Sequence, residues 1–365
     1  MIIGFIGLRV YPSNFEGVSG IETRTEELIN YFIKKYQVII YVRSWLYRNS
    51  LVKKEDNPIL LPVFSLKNKF LDTFIYSFIA SVKVCFSPIQ VVFYEGTGST
   101  LFCFLPKLFG KKVITTTHSL EWQRKKWNII AKFGLLLSEW NAVFFSHKLI
   151  VVSESLSDYF KKKFNKKTIF IPYFLTFKKS IKADIITKKY KLRPDSYILF
   201  MGRFTPEKRI EWLIEVFNKL VTNKRLVLVG GKTHDKSYYN YIYSLAKTNK
   251  NILLTGYVFG KEKKEFLSNC SLFVLPSEVE GLSMALFEAL SYGKRVFVGN
   301  ISGLSNYFTD KKFLFKVNNF EDFEHKLKKM LTSYKNINIK NFMNLNRFIS
   351  KKEFFEKYIK ILTLI

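Results

Sequence analysis

Short apolar runs of strand length recur along this chain, separated by segments whose apolar residues follow a helical period. Strands that are apolar throughout are typical of a parallel sheet that helices cover on both faces. The sequence therefore predicts a doubly wound α/β fold. The runs in the first half are IIGFIG, QVIIYV, ILLPVF, VVFYEG, KVITTTH, LIVVSE and TIFIPY.

The pattern stops at a lysine-rich segment, KKSIKADIITKKYKLRPDS, and then begins again. The restart predicts a second α/β domain, and 365 residues suffice for two domains of ordinary size. We expect a first domain over 1–178, a second over 190–345 and a C-terminal helix over 346–365. Because ligands bind beyond the carboxyl ends of such strands, we expect both domains to face a central cleft. The later runs are YILFMG, RLVLVGG, NILLTGYV, SLFVLPS and RVFVGN.

The C-terminal segment KKEFFEKYIKILTLI has apolar residues at helical spacing. We expect this helix to pack back on the first domain, and an interfacial helix on a membrane is the alternative. Its predicted apolar stripe comprises Phe354, Phe355, Tyr358, Ile359 and Leu362.

The chain carries 59 Lys and Arg against 29 Asp and Glu, a formal charge of +30. Such an excess favours phosphates, acidic glycans, nucleic acid or an anionic membrane. A general bias toward Lys, Asn, Ile and Phe explains the charge equally well. Clustered lysines suit contact with anionic lipid, or they are solvated helix faces. They are Lys34, Lys35, Lys53, Lys54, Lys161, Lys162, Lys163, Lys166 and Lys167.

The three cysteines, Cys85, Cys103 and Cys270, lie in apolar runs, which predicts small buried side chains in a reducing compartment. The N-terminal MIIGFIGLRVYPSN has no basic leader. The apolar stretch FIYSFIASVKVCF contains Lys83 and precedes Pro88, so it falls short of the roughly 20 apolar residues of a membrane span. We therefore expect a cytoplasmic protein without a membrane-crossing segment.

The stretch EVEGLSMALFEALSYG follows an apolar strand and predicts a glycine-bearing loop that leads into a helix. Ser283 is suited to the N-cap, and Gly293 to the helix end. A helix start offers unpaired amides and the positive end of its dipole to a phosphate. We therefore predict that Gly281, Leu282 and Ser283 bind donor phosphates.

Two carboxylates flank that helix start. Glu288 lies about five residues beyond the cap, which at about 1.5 Å per residue is roughly 7 Å along the axis. A nucleoside diphosphate at the helix start would offer its ribose hydroxyls to Glu288, while Glu280 reaches the group on the far phosphate. Two ordinary surface glutamates are the alternative, and the commoner case for such a pair alone.

A second motif, MGRFTPEK, follows the strand YILF. A turn at Gly202 would direct Arg203 and Lys208 to the same sheet edge, where two cations neutralise a diphosphate leaving group. Solvated surface charges are an equal alternative. Because the sequence has no Asp-x-Asp pair, we predict that these cations and the helix start replace a divalent metal, without any cofactor.

GRFTPEK, followed about seventy residues later by PSEVEGLSMALFEALSYGKRV, resembles the retaining glycosyltransferases of the GT-B fold, family 4-like, which include sucrose synthase-like and mannosyltransferase enzymes. The resemblance implies that Arg203 and Lys208 hold the diphosphate. It further implies that Glu288 binds the ribose and that Glu280 contacts the donor sugar. The backbone near Val258 would face the base. Retention implies departure and attack on one face of an oxocarbenium-like centre.

RVYPSNFEGVSGIETRTEEL in the first domain resembles the rhamnosyltransferase-type branch of that family. Gly17 and Gly20, with Glu22 in the helix that follows, would form a donor or acceptor loop, although Gly-Val-Ser-Gly replaces a tighter glycine run. A simple glycine turn is the alternative, and the spacing does not match a dinucleotide fingerprint.

The segment THSLEWQRKKWN resembles the same branch. The resemblance implies that His118, at the end of KVITTT, lies near the donor sugar's hydroxyls. Trp122 and Arg124, with Trp127 beyond them, would contact an acceptor sugar, and a role in the domain core is an equal alternative.

One position departs from the family. The family often carries Gly-Gly-x-x-Glu after the next strand, whereas SGLSNYF has Asn306 where an acid is common. The departure leaves the role of that position in doubt and is the one feature that supports a catalytically silent binder.

The sequence predicts a retaining, metal-independent glycosyltransferase that moves a sugar from a nucleoside diphosphate sugar to a glycan or a lipid-linked acceptor. We expect peripheral contact with an anionic membrane and no nucleic-acid partner. A sugar-nucleotide epimerase or hydrolase of the same architecture is one alternative. A basic nucleic-acid-binding protein is another, although no nucleic-acid module is visible in the sequence.

Overall fold

The structure is a computed structural model. It describes residues 1–12, 20–47, 57–68, 71–123, 127–231, 236–280, 283–301, 304–332 and 338–365. The chain divides into two compact units, the first formed by residues 1–174 and 349–365 and the second by residues 175–348.

Both units alternate strands and helices, as the apolar runs predict. The strands are β1 (Ile2–Ile6), β2 (Gln37–Arg43), β3 (Ile59–Val63), β4 (Val91–Glu95), β5 (Lys112–Thr117), β6 (Lys148–Val151), β7 (Ile169–Phe170), β8 (Tyr197–Met201), β9 (Arg225–Val229), β10 (Ile252–Gly256), β11 (Leu272–Leu275), β12 (Val296–Gly299) and β13 (Leu314–Phe315). The α-helices are α1 (Gly20–Phe32), α2 (Leu71–Cys85), α3 (Phe104–Leu108), α4 (Ile129–Phe145), α5 (Glu154–Phe164), α6 (Ile185–Tyr190), α7 (Ile210–Asn218), α8 (Lys236–Lys247), α9 (Gly260–Asn269), α10 (Met284–Ser291), α11 (Phe320–Thr332) and α12 (Lys351–Thr363).

Each unit contains one parallel sheet. The first sheet has the order β3-β2-β1-β4-β5-β6-β7 and the second has the order β10-β9-β8-β11-β12-β13. Strands β4 and β8 are buried at every residue, which agrees with sheets covered on both faces. The predicted doubly wound α/β fold is confirmed, and all the apolar runs named above form strands. Strand β13 was not predicted because two apolar residues carry no periodic signal.

The C-terminal helix α12 packs within the first unit. The Phe355 ring stacks on Tyr31 of α1 with 4.1 Å between centroids, and the Phe354 ring lies 5.1 Å from that of Phe174. The buried guanidinium of Arg24 lies 5.1 Å from the centre of the Phe354 ring. The predicted stripe was wrong at one position, because Ile361 is buried where Ile359 is only partly so.

The three cysteines are buried and unpaired, as predicted. Burial raises the pKa of the Cys103 and Cys270 thiols to about 12, so both stay protonated at neutral pH. In the described part of the chain, none of the helices combines the length and the apolar character needed to cross a membrane.

Candidate functional site

The loop that leaves β8 holds the first predicted group of site residues. The Gly202 amide donates to the Val229 carbonyl at 2.9 Å, and Gly230, with φ +146°, lies against the Gly202 carbonyl. A Cβ at Gly230 would lie 1.9 Å from that oxygen, so only glycine allows this close approach. The approach positions the start of the loop that carries Arg203.

Arg203 is half-buried, and its guanidinium makes no hydrogen bond or ion pair with any described residue. Nearby in the same loop, the buried Thr205 hydroxyl also has no hydrogen-bond partner among the described residues. Both groups can donate hydrogen bonds, and a diphosphate offers several acceptor oxygens. Thr205 was not predicted, because a loop threonine gives no signal in the sequence.

Lys208 and Glu280 form an ion pair between the β8 loop and the loop after β11, across 72 residues of sequence. Their side chains are 14% and 11% exposed, so solvent screens the pair only in part. The Ser277 hydroxyl also donates to Glu280 Oε1, at 3.3 Å. The structure thus brings together a cation and a carboxylate that the sequence placed in separate motifs.

A second pair joins the same two loops. The Arg209 guanidinium donates to Glu278, with Nε 2.6 Å from Oε1, and the Glu278 amide donates to the Glu207 carbonyl at 2.9 Å. Arg209 has φ 48° and precedes α7. These contacts join the two loops and so keep Lys208 beside Glu280. The sequence analysis missed both residues, although Arg209 is next to Lys208 and Glu278 lies two positions before Glu280.

Glu288 lies on α10 and pairs with Lys263 of α9, whose Nζ is 2.8 Å from Oε1 and 2.7 Å from Oε2. This lysine was not predicted. Val258 is buried in the segment between β10 and α9. The carboxylate predicted to bind ribose is therefore held by an ammonium group.

The start of α10 agrees with the sequence only in part. Ser283 occupies the N-cap position, but its side chain makes no capping hydrogen bond. Gly293, with φ +69°, follows the helix end, as predicted. Gly281 and Leu282 lie outside the described residues. Asn306 is exposed in a short 3-10 turn.

In the first unit, His118 and Glu95 form a buried pair at the carboxyl ends of β5 and β4. His118 Nε2 lies 2.8 Å from Glu95 Oε2, and the Thr116 hydroxyl donates to Oε1 at 3.1 Å. Gly7, with φ +108°, lies against the Glu95 carbonyl, where a Cβ would approach to 2.2 Å. His118 is therefore a buried, oriented imidazole. The sequence analysis missed Glu95. The feature that could have indicated it is an acidic residue at the end of an apolar strand.

Trp122 is anchored rather than free. Its indole Nε1 donates to Glu139 Oε2 at 3.1 Å, and the buried Glu139 also accepts from Tyr159 and Lys163 at 2.8 Å each. The predicted contact of Trp122 with an acceptor stays a prediction. Arg124 lies outside the described residues.

The predicted glycine loop precedes α1. Gly20 is the first residue of that helix, and Glu22, in its first turn, accepts from the Arg9 amide at 3.1 Å. Gly17 lies outside the described residues. Among described residues, no three His, Cys, Asp or Glu side chains are grouped so as to hold a metal ion.

Residues 182–342, which lie in the second unit, match the sequence model of the glycosyl transferases group 1 family. The Escherichia coli UDP-Gal:alpha-D-GlcNAc-diphosphoundecaprenol alpha-1,3-galactosyltransferase is 31% identical over 39% of this chain and 38% of its own length. The chain spans 28% to 59% of the length of three other curated relatives that it matches.

Several solved structures match the chain over its whole length, among them the following two. Sucrose-phosphate synthase from Thermosynechococcus elongatus has a TM-score of 0.82 at 16% identity, covering 100% of this chain and 98% of that one. HepE of Anabaena in complex with UDP and glucose has a TM-score of 0.78 at 12% identity, with both chains covered to 100%. These likenesses confirm the predicted GT-B fold.

Proposed function

We propose that this chain is a retaining, metal-independent glycosyltransferase that moves a sugar from a nucleoside diphosphate sugar to a glycan or a lipid-linked acceptor. One observation carries the proposal: Arg203, which is half-buried and has no partner among the described residues, shares a loop with Lys208 of the Lys208–Glu280 pair, in the region that matches the group 1 family model. The family relative that names an undecaprenol-linked substrate and the related structure with UDP and glucose support it.

Arg203 and Lys208 would neutralise the diphosphate as it leaves the sugar. Cations fixed where negative charge develops stabilise the transition state without reorganising solvent. Arg203 has no competing partner among the described residues, so a bound diphosphate faces no cost of breaking an existing pair there. Lys208 is already held by Glu280, which limits its freedom before the donor arrives.

Glu280 and Glu288 would bind hydroxyl groups of the donor, Glu280 those of the sugar and Glu288 those of the ribose. A carboxylate accepts two such bonds at once, which suits vicinal hydroxyls. Because Lys263 neutralises Glu288, binding the ribose does not require an isolated charge to be desolvated. The backbone near Val258 would face the base.

His118 in the first unit would accept a hydrogen bond from a hydroxyl of the transferred sugar, because its Nε2 proton is donated to Glu95. The Glu95 carboxylate holds one ring nitrogen, which leaves the other ring nitrogen for the ligand. Glu95 acts through His118 and is therefore a positioning residue. Retention would follow from departure and attack on one face of the sugar, and the central cleft expected between the domains stays a prediction.

Metal independence is part of the proposal, because Arg203, Lys208 and the start of α10 together supply the positive charge that a divalent ion would provide. Turnover is expected to be unchanged after dialysis against EDTA. Loss of activity that Mg²⁺ restores would contradict this part alone.

We also propose peripheral contact with an anionic membrane at the cytoplasmic face, since lipid-linked acceptors reside there, and we expect no nucleic-acid partner.

The test is release of free nucleotide from a panel of nucleoside diphosphate sugars, with and without a lipid extract. Release that needs both one donor and the extract, and that Arg203→Ala abolishes, supports the proposal. NMR of the product then gives the anomeric configuration, and an inverted linkage would contradict retention. Release of free sugar instead of a glycoside would indicate a hydrolase, and tight DNA binding that survives Arg203→Ala would favour the nucleic-acid alternative.

A further inference from the structure

Helix α4 exposes a row of large apolar side chains, which is the reverse of what helices of globular proteins show. Ile129, Ile130 and Phe133 are 86%, 81% and 69% exposed. Three more residues follow on the same side of the helix, three or four positions apart. We name the α4 face by all six: Ile129, Ile130, Phe133, Leu137, Trp140 and Phe144.

Helix α2, which packs on the same 3-10 segment as α4, also exposes large apolar side chains. Leu71, Phe74 and Phe78 of α2 are exposed, and the rings of Phe74 and Phe78 each lie 5.1 Å from that of Phe102. Phe102 ends a 3-10 segment that packs against α4 as well, through the Asn141 side chain, which donates to the Leu101 carbonyl at 2.6 Å. Both helices therefore pack on this 3-10 segment, and each exposes several large apolar side chains rather than the scattered single ones that are normal on soluble proteins.

The acids of both helices are turned away from these apolar side chains. Glu139 is the single acid of α4; it is 1% exposed and bonds to Trp122, Tyr159 and Lys163. Asp72, the single acid of α2, accepts from the Arg43 guanidinium at 2.6 Å. Neither helix therefore presents a free carboxylate beside the exposed apolar side chains.

Lysines gather at the carboxyl end of α4. Lys107 Nζ donates to the Phe144 carbonyl at 3.2 Å. The Phe164 ring lies 6.5 Å from that of Phe144, and Lys166 follows Phe164 by two residues. Burial and the Lys107 charge lower the pKa of Lys166. Burial and the charges of Lys107, Lys112 and Lys148 likewise lower the pKa of His147. Apolar side chains bordered by clustered positive charge match an anionic bilayer, whose headgroups attract lysine while its acyl boundary accepts apolar side chains.

We propose that the α4 face, together with the exposed residues of α2, is the surface by which the first unit docks on an anionic lipid bilayer. The apolar side chains enter the boundary between headgroups and acyl chains, and the lysines contact the headgroups. A second copy of the chain fits less well, because pairing two such faces would bring the lysines of both copies together. This assignment rests on the membrane contact in the proposed function, but its test does not depend on sugar transfer.

The experiment is co-sedimentation of the full chain with vesicles of phosphatidylcholine alone or with phosphatidylglycerol added. The variant Phe133→Ser/Trp140→Ser removes two exposed rings and should weaken binding to anionic vesicles at least about tenfold. Lys107→Gln/Lys166→Gln should weaken binding about fivefold per lysine, with less effect at high salt. Val221→Ser, at a fully exposed apolar residue of the second unit, is the matched control and should bind like wild type.

Circular dichroism and melting temperature check that each variant is folded, and nucleotide binding checks the second unit. Unchanged vesicle binding by the folded Phe133→Ser/Trp140→Ser variant would overturn the surface assignment. Equal binding to neutral and anionic vesicles would contradict the role of the lysines. A dimer of the wild-type chain that the same variant converts to a monomer, without vesicle binding by either, would assign the face to self-association. If the chain binds anionic vesicles through the α4 face but turns over no nucleotide sugar, the proposed function is contradicted and the assignment of the docking surface is retained.

Discussion

The two units share a strand order but differ in what their helices show to solvent. In each, the strands follow the order 3-2-1-4-5-6 along its own sequence, with β7 added at the edge of the first sheet. Helix α4 of the first unit exposes a continuous apolar row, whereas α9 in the second unit exposes lysines beside its buried apolar residues. Sheet order depends on the inner faces of helices, so their outer faces can diverge without changing the fold.

The candidate sites of the two units differ in the same way. The second unit holds the charged pairs of its candidate site partly exposed, Lys208–Glu280 in loops and Lys263–Glu288 on helices. The first unit holds Glu95 and His118 in a buried pair at strand ends. Partly exposed cations suit a ligand that arrives with several negative charges, and a buried imidazole suits one oriented hydrogen bond. Four predictions test this division.

The largest expected effect is on the stability of the first unit. Phe354→Ala removes a fully buried ring from the packing of α12, which should cost about 3–5 kcal/mol of unfolding free energy. Chemical denaturation followed by circular dichroism measures this cost. Lys352→Ala, at an exposed position of the same helix, is the control and should change stability little. A loss below about 1 kcal/mol in Phe354→Ala would contradict the role of α12 in this unit.

Arg203→Ala should lower turnover at saturating donor by about 10²–10³-fold, because the guanidinium meets charge that develops as the diphosphate leaves. The melting temperature should not change, since Arg203 has no partner among the described residues. Steady-state kinetics and a thermal melt together measure both. Arg193→Ala, an exposed arginine of the same unit, should keep normal turnover. Wild-type kinetics in Arg203→Ala would remove the leaving-group assignment.

Glu95→Gln should lower turnover by about 10²-fold or less, because the amide keeps the side-chain volume but orients His118 less firmly. Nucleotide affinity, measured by calorimetry, should stay at the wild-type value, since the pair lies in the first unit. The comparison with Arg203→Ala separates positioning of the sugar from stabilisation of the diphosphate. Reduced nucleotide affinity in Glu95→Gln would break the proposed division between the units.

The smallest expected effect concerns the ribose. Wild-type protein should bind a nucleoside diphosphate about 5–10-fold more tightly than its 3′-deoxy analogue, and Glu288→Gln should reduce that preference. Calorimetric titration with both nucleotides measures it. Lys263→Gln, which removes the partner of Glu288 but keeps the carboxylate, should retain the preference for ribose. An undiminished preference in Glu288→Gln would remove the ribose assignment.

Much of the fold was predictable from local patterns. Each apolar run became a strand, and the restart after the lysine-rich segment became a second sheet. The two-residue strand β13 was not predicted. On α12, the prediction placed Ile359 on the buried face, whereas the structure buries Ile361. Near the end of a helix, few residues remain to define the buried face. The spacing alone therefore did not distinguish Ile359 from Ile361.

The candidate site was predictable in its residues more than in its contacts. Arg203, Lys208, Glu280 and Glu288 stood out because glycine-bearing loops after apolar strands predict a ligand site. Their pairing was not predictable, since Lys208 and Glu280 are 72 residues apart and Lys263 lies on a different helix from Glu288. Glu95 was missed because an acidic residue commonly ends an apolar strand, so its presence there does not by itself indicate a site.

The order of apolar and polar residues determined by itself that this protein forms two parallel sheets with helices between their strands. It also placed a glycine-bearing loop before α10, because backbone preferences act over a few residues. Only the tertiary structure decided that Glu95 meets His118, that Lys208 meets Glu280 and that the apolar row of α4 is left uncovered. Contacts between distant segments, and the exposure of a helix face, depend on what packs beside them, which no local period records.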